Sequence, residues 1–263
     1  MTQASSISKG HDVSRAARPT PDDVRVLAIV PAYNEAASIS KVVHALREHL
    51  PNCDVVVVDD GSTDATSRSV PAEAVLIRLP FNLGIGGAMQ TGYRYAQLHD
   101  YDFAVQVDAD GQHPPAQARR VVQELLDSDA DMVIGSRFFD PNHRGYQQSA
   151  SRMAGIRVLR GLLKLLTGQT FTDCTSGLRA GNRKVIRAFA SWYPDDYPEP
   201  EVVLLLHRAG FKLRELQVHM EQRSTGVSSI SMWRGVFYVI KVSASLLLDT
   251  IRQPWPGIEE TRR

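Results

Sequence analysis

Phe103-Ala104-Val105-Gln106-Val107-Asp108-Ala109-Asp110-Gly111-Gln112-His113-Pro114-Pro115 reads as a buried strand that runs out of apolar residues and ends in two carboxylates one residue apart. At the carboxyl end of a parallel strand, such a pair projects into the crevice where open α/β sheets bind ligands. Two hard oxygen ligands at this spacing can hold Mg²⁺ or Mn²⁺ and leave positions open for the phosphates of a nucleotide. Gln112 and His113 follow within reach as ligands or as their supports, and Pro114-Pro115 closes the turn. A plain Asp-Gly turn with solvated carboxylates would use the same letters. The flanking chain has to decide between them.

Upstream, residues 24–30 form a near-continuous apolar run, the mark of a strand buried on both faces of a parallel sheet. It ends at Pro31-Ala32-Tyr33-Asn34-Glu35, and Ile39, Val42, Val43, Leu46 and Leu50 then keep helical spacing up to Pro51. A second strand over 54–58 ends at Asp59-Asp60-Gly61-Ser62-Thr63-Asp64, where Ser62 or Thr63 is expected to cap the next helix. A third strand over 75–79 precedes Asn82-Leu83-Gly84-Ile85-Gly86-Gly87-Ala88, read as a loop. A helix through Met89, Tyr93 and Ala96 returns to the aspartate strand. Strand and helix alternating four times predict an α/β fold with a doubly wound, mostly parallel sheet.

Downstream, a helix is expected over 118–126 and a strand over 132–135, ending at Ser136-Arg137-Phe138. A loop over 140–148 leads into a helix over 151–166. Ile156, Leu159, Leu163 and Leu166 line one face of that helix, and Arg157, Arg160 and Lys164 another. That basic face suits either bulk water or an anionic membrane surface. A polar loop, Asp173-Cys174-Thr175-Ser176-Gly177-Leu178-Arg179, precedes a helix through Val185 and Phe189, and a Pro-rich stretch covers 193–201. A helix over 201–209, an alternating strand over 213–220 and a polar loop over 221–229 follow. From Ser231 a last helix sets Trp233, Phe237, Ile240, Ala244, Leu247 and Ile251 on one stripe. It is too charged to span a bilayer and too apolar for a solvated tail, so it docks on the domain or lies in a membrane interface.

The chain of 263 residues is 43% hydrophobic, enough for a proper core. Its net charge of +1 hides an asymmetry. Acidic residues crowd Asp59, Asp60, Asp64, Asp100, Asp102, Asp108 and Asp110, whereas from Arg144 to Arg187 Asp173 alone opposes a run of Arg and Lys. A metal-holding part and an anion-facing part are expected. Two cysteines without ligand spacing, Cys53 and Cys174, favour a reduced, cytoplasmic setting. The start of the chain lacks the layout of a signal peptide. Residues 1–23 read as a disordered lead-in.

Five motifs at strand ends converge: Tyr33-Asn34-Glu35, Asp59-Asp60, Gly84 to Gly87, Asp108 with Asp110, and Arg137. Carboxylates can read ribose hydroxyls and a base edge, glycines let backbone approach a ligand, and Arg137 offers a fork for phosphate oxygens. The glycines lack G-x-G-x-x-G spacing and follow the third strand, which argues against a nicotinamide enzyme.

Val30-Pro31-Ala32-Tyr33-Asn34-Glu35, Val58-Asp59-Asp60-Gly61-Ser62-Thr63-Asp64 and Asp108-Ala109-Asp110 together resemble the opening, nucleotide-binding and metal motifs of family 2 glycosyltransferases of the GT-A fold. Asn82-Leu83-Gly84, Gly135-Ser136-Arg137, Asp173 with Thr175-Ser176-Gly177, and Arg223 with Gly226 and Ser228 resemble the dolichyl-phosphate mannose synthase-like branch, which transfers sugar to a polyprenyl phosphate. The resemblance implies a GT-A domain over 24–230 and a docking helix and tail over 231–263. It implies nucleotide-sugar contacts at Pro31, Tyr33, Glu35, Asp59, Asp60, Gly84, Asp108 and Ala109. It places Mg²⁺ or Mn²⁺ on Asp108, Asp110 and Gln112, and the acceptor phosphate at Arg137, Arg152, Arg223 and Ser228. Asp110 and Arg137 would carry catalysis, with inversion at the sugar.

Two residues depart from the branch: Ile85 stands where Lys is frequent, and Cys174 where Pro is common. The branch often carries membrane helices that this sequence does not display. Peripheral attachment to the cytoplasmic membrane face, directly or through a small integral-membrane partner, is therefore expected. The partners expected are a nucleotide sugar, a lipid phosphate and a membrane surface, and no nucleic acid. A rival reading has a saccharide hydroxyl as acceptor and needs a carboxylate base, for which Asp173, Glu199 and Glu201 are candidates. The intact Asp108, Asp110 and Arg137 speak against a decayed scaffold.

Overall fold

The computed structural model describes residues 20–21, 23–139, 150–195, 198–220 and 232–251. The expected loops over 140–148 and 221–229, the tail beyond 251 and nearly all of the lead-in lie outside these residues.

β1 (Val26–Ala32) is buried along its whole length. Its side chains alternate between two cores: Val26, Ala28 and Val30 enter one, Leu27 and Ile29 the other. β2 (Cys53–Asp59) repeats this, with Val55 and Val57 against Val56 and Val58. Helices cover both faces, which is why these strands lack a polar side. α1 (Ile39–His49) and α4 (Pro115–Asp127) cover the first core. α3 (Gly84–Leu98), α5 (Ala150–Thr167), α6 (Arg183–Ser191), α7 (Pro198–Arg208) and α8 (Met232–Ile251) cover the second. A single turn, α2 (Thr66–Ser69), follows β2.

With β3 (Val75–Arg78), β4 (Phe103–Gln106), β5 (Met132–Ser136), β6 (Arg179–Asn182) and β7 (Leu213–Gln217), the sheet has seven strands in the order β3-β2-β1-β4-β6-β5-β7. All neighbours are parallel except β6, which runs antiparallel to β4 and β5. β4 stops with Gln106 opposite Ile29 and Arg179, so Asp108 and Asp110 emerge just past the strand's carboxyl end.

Four local expectations change. The residues of β6 read as loop and helix flank because Arg179-Ala180-Gly181-Asn182 has no apolar run of its own, and its pairing comes from the strands on either side. Gly84 to Gly87 form the first turn of α3 rather than a loop, because the Asp60 carboxylate accepts from Leu83 N at 2.7 Å and Gly84 N at 2.9 Å. Ser62 and Thr63 do not cap a helix. Ser62 Oγ accepts from Asn34 N at 2.9 Å and Thr63 N donates to Asn34 Oδ1 at 2.9 Å, stitching two strand ends together. Finally, Pro198 and Pro200 open α7, where a first turn has no need of their missing N–H groups.

α8 docks through Val242 and Leu246, both buried in the second core. Phe237, Ile240, Leu247 and Ile251, from the anticipated stripe, face outward with Val236 and Leu248. Among the described residues no helix is long and apolar enough to cross a membrane.

Candidate active site

Asp108 has close neighbours on its carboxylate. Gln106 Nε2 lies 3.5 Å from Oδ1, and His113 Nδ1 lies 3.5 Å from Oδ2. Against the same carboxylate packs Gly177, where a methyl group would sit 2.5 Å from Oδ2 and 2.6 Å from Oδ1. Asp110 Oδ1 accepts from Gln112 N at 2.9 Å, across a turn that puts Gly111 at φ +74°. Glycine takes that conformation without strain. Gln112 thus braces Asp110 through its backbone, and Ala109 between the two carboxylates is buried.

The first two motifs interlock. Pro31 ends deep in β1, Tyr33 is half exposed, and Asn34 adopts a left-handed φ of +57°, held by Ser62 and Thr63. Glu35 N donates to Thr66 Oγ1 at 2.8 Å, and its Oε2 accepts from Ser38 Oγ at 2.7 Å. Asp59 is fully enclosed: it accepts from Ser62 N at 2.9 Å and from the Ser67 hydroxyl, with Arg78 Nε 3.9 Å away. Burial works to raise its carboxyl, but these bonds and Arg78 outweigh it and hold the group below the usual range. Asp60, buried and capping α3, is pushed upward by burial against the pull of the Leu83 and Gly84 N–H groups. Both aspartates therefore shape the loops that follow β2 and β3. Gly61 lets the first of these close on the second, since a methyl there would come 2.7 Å from the Phe81 backbone.

On the other side, Arg137 at the end of β5 is buried and paired with Asp173. Its Nη2 also donates to Thr175 Oγ1 at 2.8 Å. The loop bearing Asp173 is fixed by Glu215 on β7, which accepts from Thr172 N at 2.7 Å and Asp173 N at 2.8 Å. Ser136 and Thr172 share a hydroxyl bond of 2.6 Å. Arg179 is buried at the start of β6 and donates to Ser176 O at 2.8 Å and Cys174 O at 3.1 Å. Burial raises the Glu199 carboxyl, Arg179 opposes this, and Asp108 and Arg137 lie within electrostatic reach.

The fold thus gathers Asp108, Arg137, Asp173 and Glu199, with Arg179 within electrostatic reach of Glu199. Glu201, also in the first turn of α7, is buried. Arg152 is exposed near the start of α5 and within reach of Tyr238, whose field Glu199 and Arg179 also share. Arg223 and Ser228 lie outside the described residues. Sequence reasoning missed the supports Gln106 and Arg179, for which nothing local in the chain gives a signal, and Glu215, a lone acid in an alternating strand; it read Gly177 as part of a motif but not as a neighbour of Asp108. Cys53 and Cys174 are free and buried, and burial pushes both thiols up to about 12. They are poor nucleophiles there.

The donor set suits a hard divalent cation. Two carboxylates stand past one strand, one of them in a cradle that a single methyl group would fill. Among the described residues no third His, Cys, Asp or Glu completes a cage. An ion such as Mg²⁺ normally takes one or two carboxylates and leaves the rest to phosphates and water.

Residues 27–189 match Glycosyl transferase family 2. The chain is similar to the undecaprenyl-phosphate mannosyltransferase of Micrococcus luteus, with 36% identity over 172 residues, 63% of this chain and 69% of that protein. It is also similar to the polyprenol monophosphomannose synthase of Mycolicibacterium smegmatis, with 29% identity over 81% of this chain and 83% of that one. The fold is similar to that of glucosyl-3-phosphoglycerate synthase from Mycobacterium tuberculosis, solved with Mn²⁺, UDP and phosphoglyceric acid. That likeness has a TM-score of 0.66 at 18% identity and covers 89% of this chain and 81% of the other.

Proposed function

We propose that this chain, which belongs to glycosyl transferase family 2, moves a sugar from a UDP- or GDP-linked donor to the phosphate of a polyprenyl phosphate. The relatives named above are described as acting on such lipid carriers. Asp108 and Asp110, braced by Gln112, would hold Mg²⁺ or Mn²⁺. When bound, that ion neutralises the charge growing on the departing diphosphate. Glu35 and the loop shaped by Asp59 and Asp60 bind the nucleoside, with Pro31, Tyr33, Gly84 and Ala109 lining the approach. Arg137 directs its remaining positive field at phosphate oxygens, joined by Arg152, Arg223 and Ser228 on the acceptor. An acceptor oxygen attacks the anomeric carbon opposite the leaving diphosphate, so the sugar inverts.

The observation that carries the acceptor half is Asp173, whose two oxygens are both bonded to Arg137. A hydroxyl acceptor must lose a proton as it attacks, and the oxygens of Asp173 that could take it are both already engaged by Arg137. A phosphate acceptor is already ionised and asks instead for positive charge. Glu199 favours a second reading: its raised proton affinity beside Asp108 and Arg137 suits a base for a saccharide hydroxyl.

For a lipid acceptor the catalytic domain has to sit at a bilayer surface. The exposed apolar face of α8, with exposed Lys241 on the same helix and Arg157 and Lys164 on α5, has the chemistry of an interfacial seat on anionic lipid.

The deciding experiment offers purified chain UDP- and GDP-sugars with Mn²⁺ and three acceptors: a short polyprenyl phosphate, the matching polyprenol and a soluble oligosaccharide. Sugar on the phosphate alone is expected, with Arg152→Ala and Arg223→Ala raising KM for the lipid more than for the donor. Transfer to the oligosaccharide, abolished by Glu199→Gln, would establish the second reading instead.

A further inference from the structure

His113 is the side chain in this region that the chemistry above leaves unexplained. It is 2% exposed, and neither ring nitrogen has a hydrogen-bond partner. Buried polar groups are nearly always bonded, and an orphan donor is costly, so such a group in a folded chain calls for a reason. Asp108 Oδ2 lies 3.5 Å from Nδ1, too far for a good bond. Gly177 packs against both oxygens of the same carboxylate.

We infer that His113 is a positioning residue for Asp108: its ring donates from Nδ1 to Asp108 Oδ2 when that carboxylate takes up its metal-binding orientation. The inference rests on the reading of Asp108 and Asp110 as a divalent-cation site. Closing the gap to ordinary bond length takes a movement of about half an ångström. Gly177 has no side chain to obstruct the carboxylate, and the Asp108 side chain is 35% exposed, so it can turn while the ring stays fixed. A donor on one oxygen of a carboxylate aims the other at the ion, as the outer partners of metal ligands commonly do.

The test reads metal binding rather than turnover. Free Mn²⁺ is followed by its electron paramagnetic resonance signal as full-length protein is added with UDP or GDP. Variants are compared with the natural chain and with Asp108→Ala. His113→Phe keeps the ring volume and removes the donor, and weakening of Mn²⁺ binding by about 10- to 100-fold is expected. His113→Asn places an N–H close to the Nδ1 position and should restore most of the affinity. His113→Gln, which reaches instead to the Nε2 position, should not. The Asn and Gln contrast decides the matter even where the Phe variant does not fold. Equal Mn²⁺ affinity for all three variants and the natural chain overturns the inference while leaving the metal site standing. A natural chain that binds no Mn²⁺ with either nucleotide overturns the site itself, and this inference with it.

Discussion

Arg137 donates to both oxygens of Asp173, from Nε to Oδ2 at 2.5 Å and from Nη2 to Oδ1 at 2.6 Å, and both side chains are buried. The pair joins the end of β5 to the loop before β6, and Glu215 on β7 holds that loop by two backbone N–H groups. The guanidinium cannot swing freely, and its geometry is set before any ligand arrives; on the proposed function this is the form of preorganisation that stabilises developing charge.

Removing Asp173 should therefore harm stability as well as turnover. Asp173→Ala leaves a buried guanidinium without its counter-ion, a change that typically costs about 3–5 kcal/mol. Urea denaturation is the measurement, and Asp173→Asn, which keeps one acceptor, should fall between the two. A stability loss confined to a few tenths of a kcal/mol would mean that the pair is open in solution.

Glu199 gives a prediction with a definite sign. Burial raises its carboxyl from 4.5, so between 4.5 and the folded value the folded chain holds more protons than the unfolded one. Stability then falls as pH rises through that window, and the deficit persists above it. Glu199→Gln should raise the melting temperature at neutral pH, and the gain should shrink as pH drops toward 4.5. An equal gain at every pH would mean that the side chain carries no such shift.

The strands buried on both faces were legible because their apolar runs have no polar side, and the carboxylates past them because nothing apolar follows. What escaped was set by partners distant in sequence. β6 is a strand because β4 and β5 flank it, and Gly84 to Gly87 open a helix because Asp60, 24 residues before Gly84, accepts from the N–H groups of Leu83 and Gly84. Arg137 and Asp173 were both read as site residues, one for phosphate and one as a possible base. Their pairing across 36 residues is visible only in three dimensions.

Gly177 tests the Asp108 cradle directly. A methyl group there would lie 2.5 Å from Asp108 Oδ2, too close for any ordinary contact, and the cheapest relief is for the carboxylate to turn away. Gly177→Ala should fold with a melting temperature near that of the natural chain and bind Mn²⁺ in the presence of nucleotide much more weakly. Titration calorimetry with Mn²⁺ and UDP or GDP measures this. Undiminished binding would show that this carboxylate orientation is irrelevant to the ion.

The outer face of α8 makes the last prediction. Phe237 and Ile240 are each 63% exposed, while Val242 and Leu246 on the same helix are sealed in the core. Deleting residues 231–263 is therefore a poor test of membrane attachment, because it would strip α5 and α7 of their cover along with the exposed face. Phe237→Ser with Ile240→Ser alters the outer face alone. Each basic residue near an anionic leaflet is worth about 1 kcal/mol, and a fully inserted large apolar side chain roughly 1.5–3 kcal/mol. Co-sedimentation of the natural chain with anionic vesicles should accordingly be reversible and weakened by salt. The double variant should stay in the supernatant with its melting temperature unchanged. If the natural chain itself remains in the supernatant at low salt, the apolar face of α8 does not bind lipid directly, and attachment has to come through a membrane protein partner.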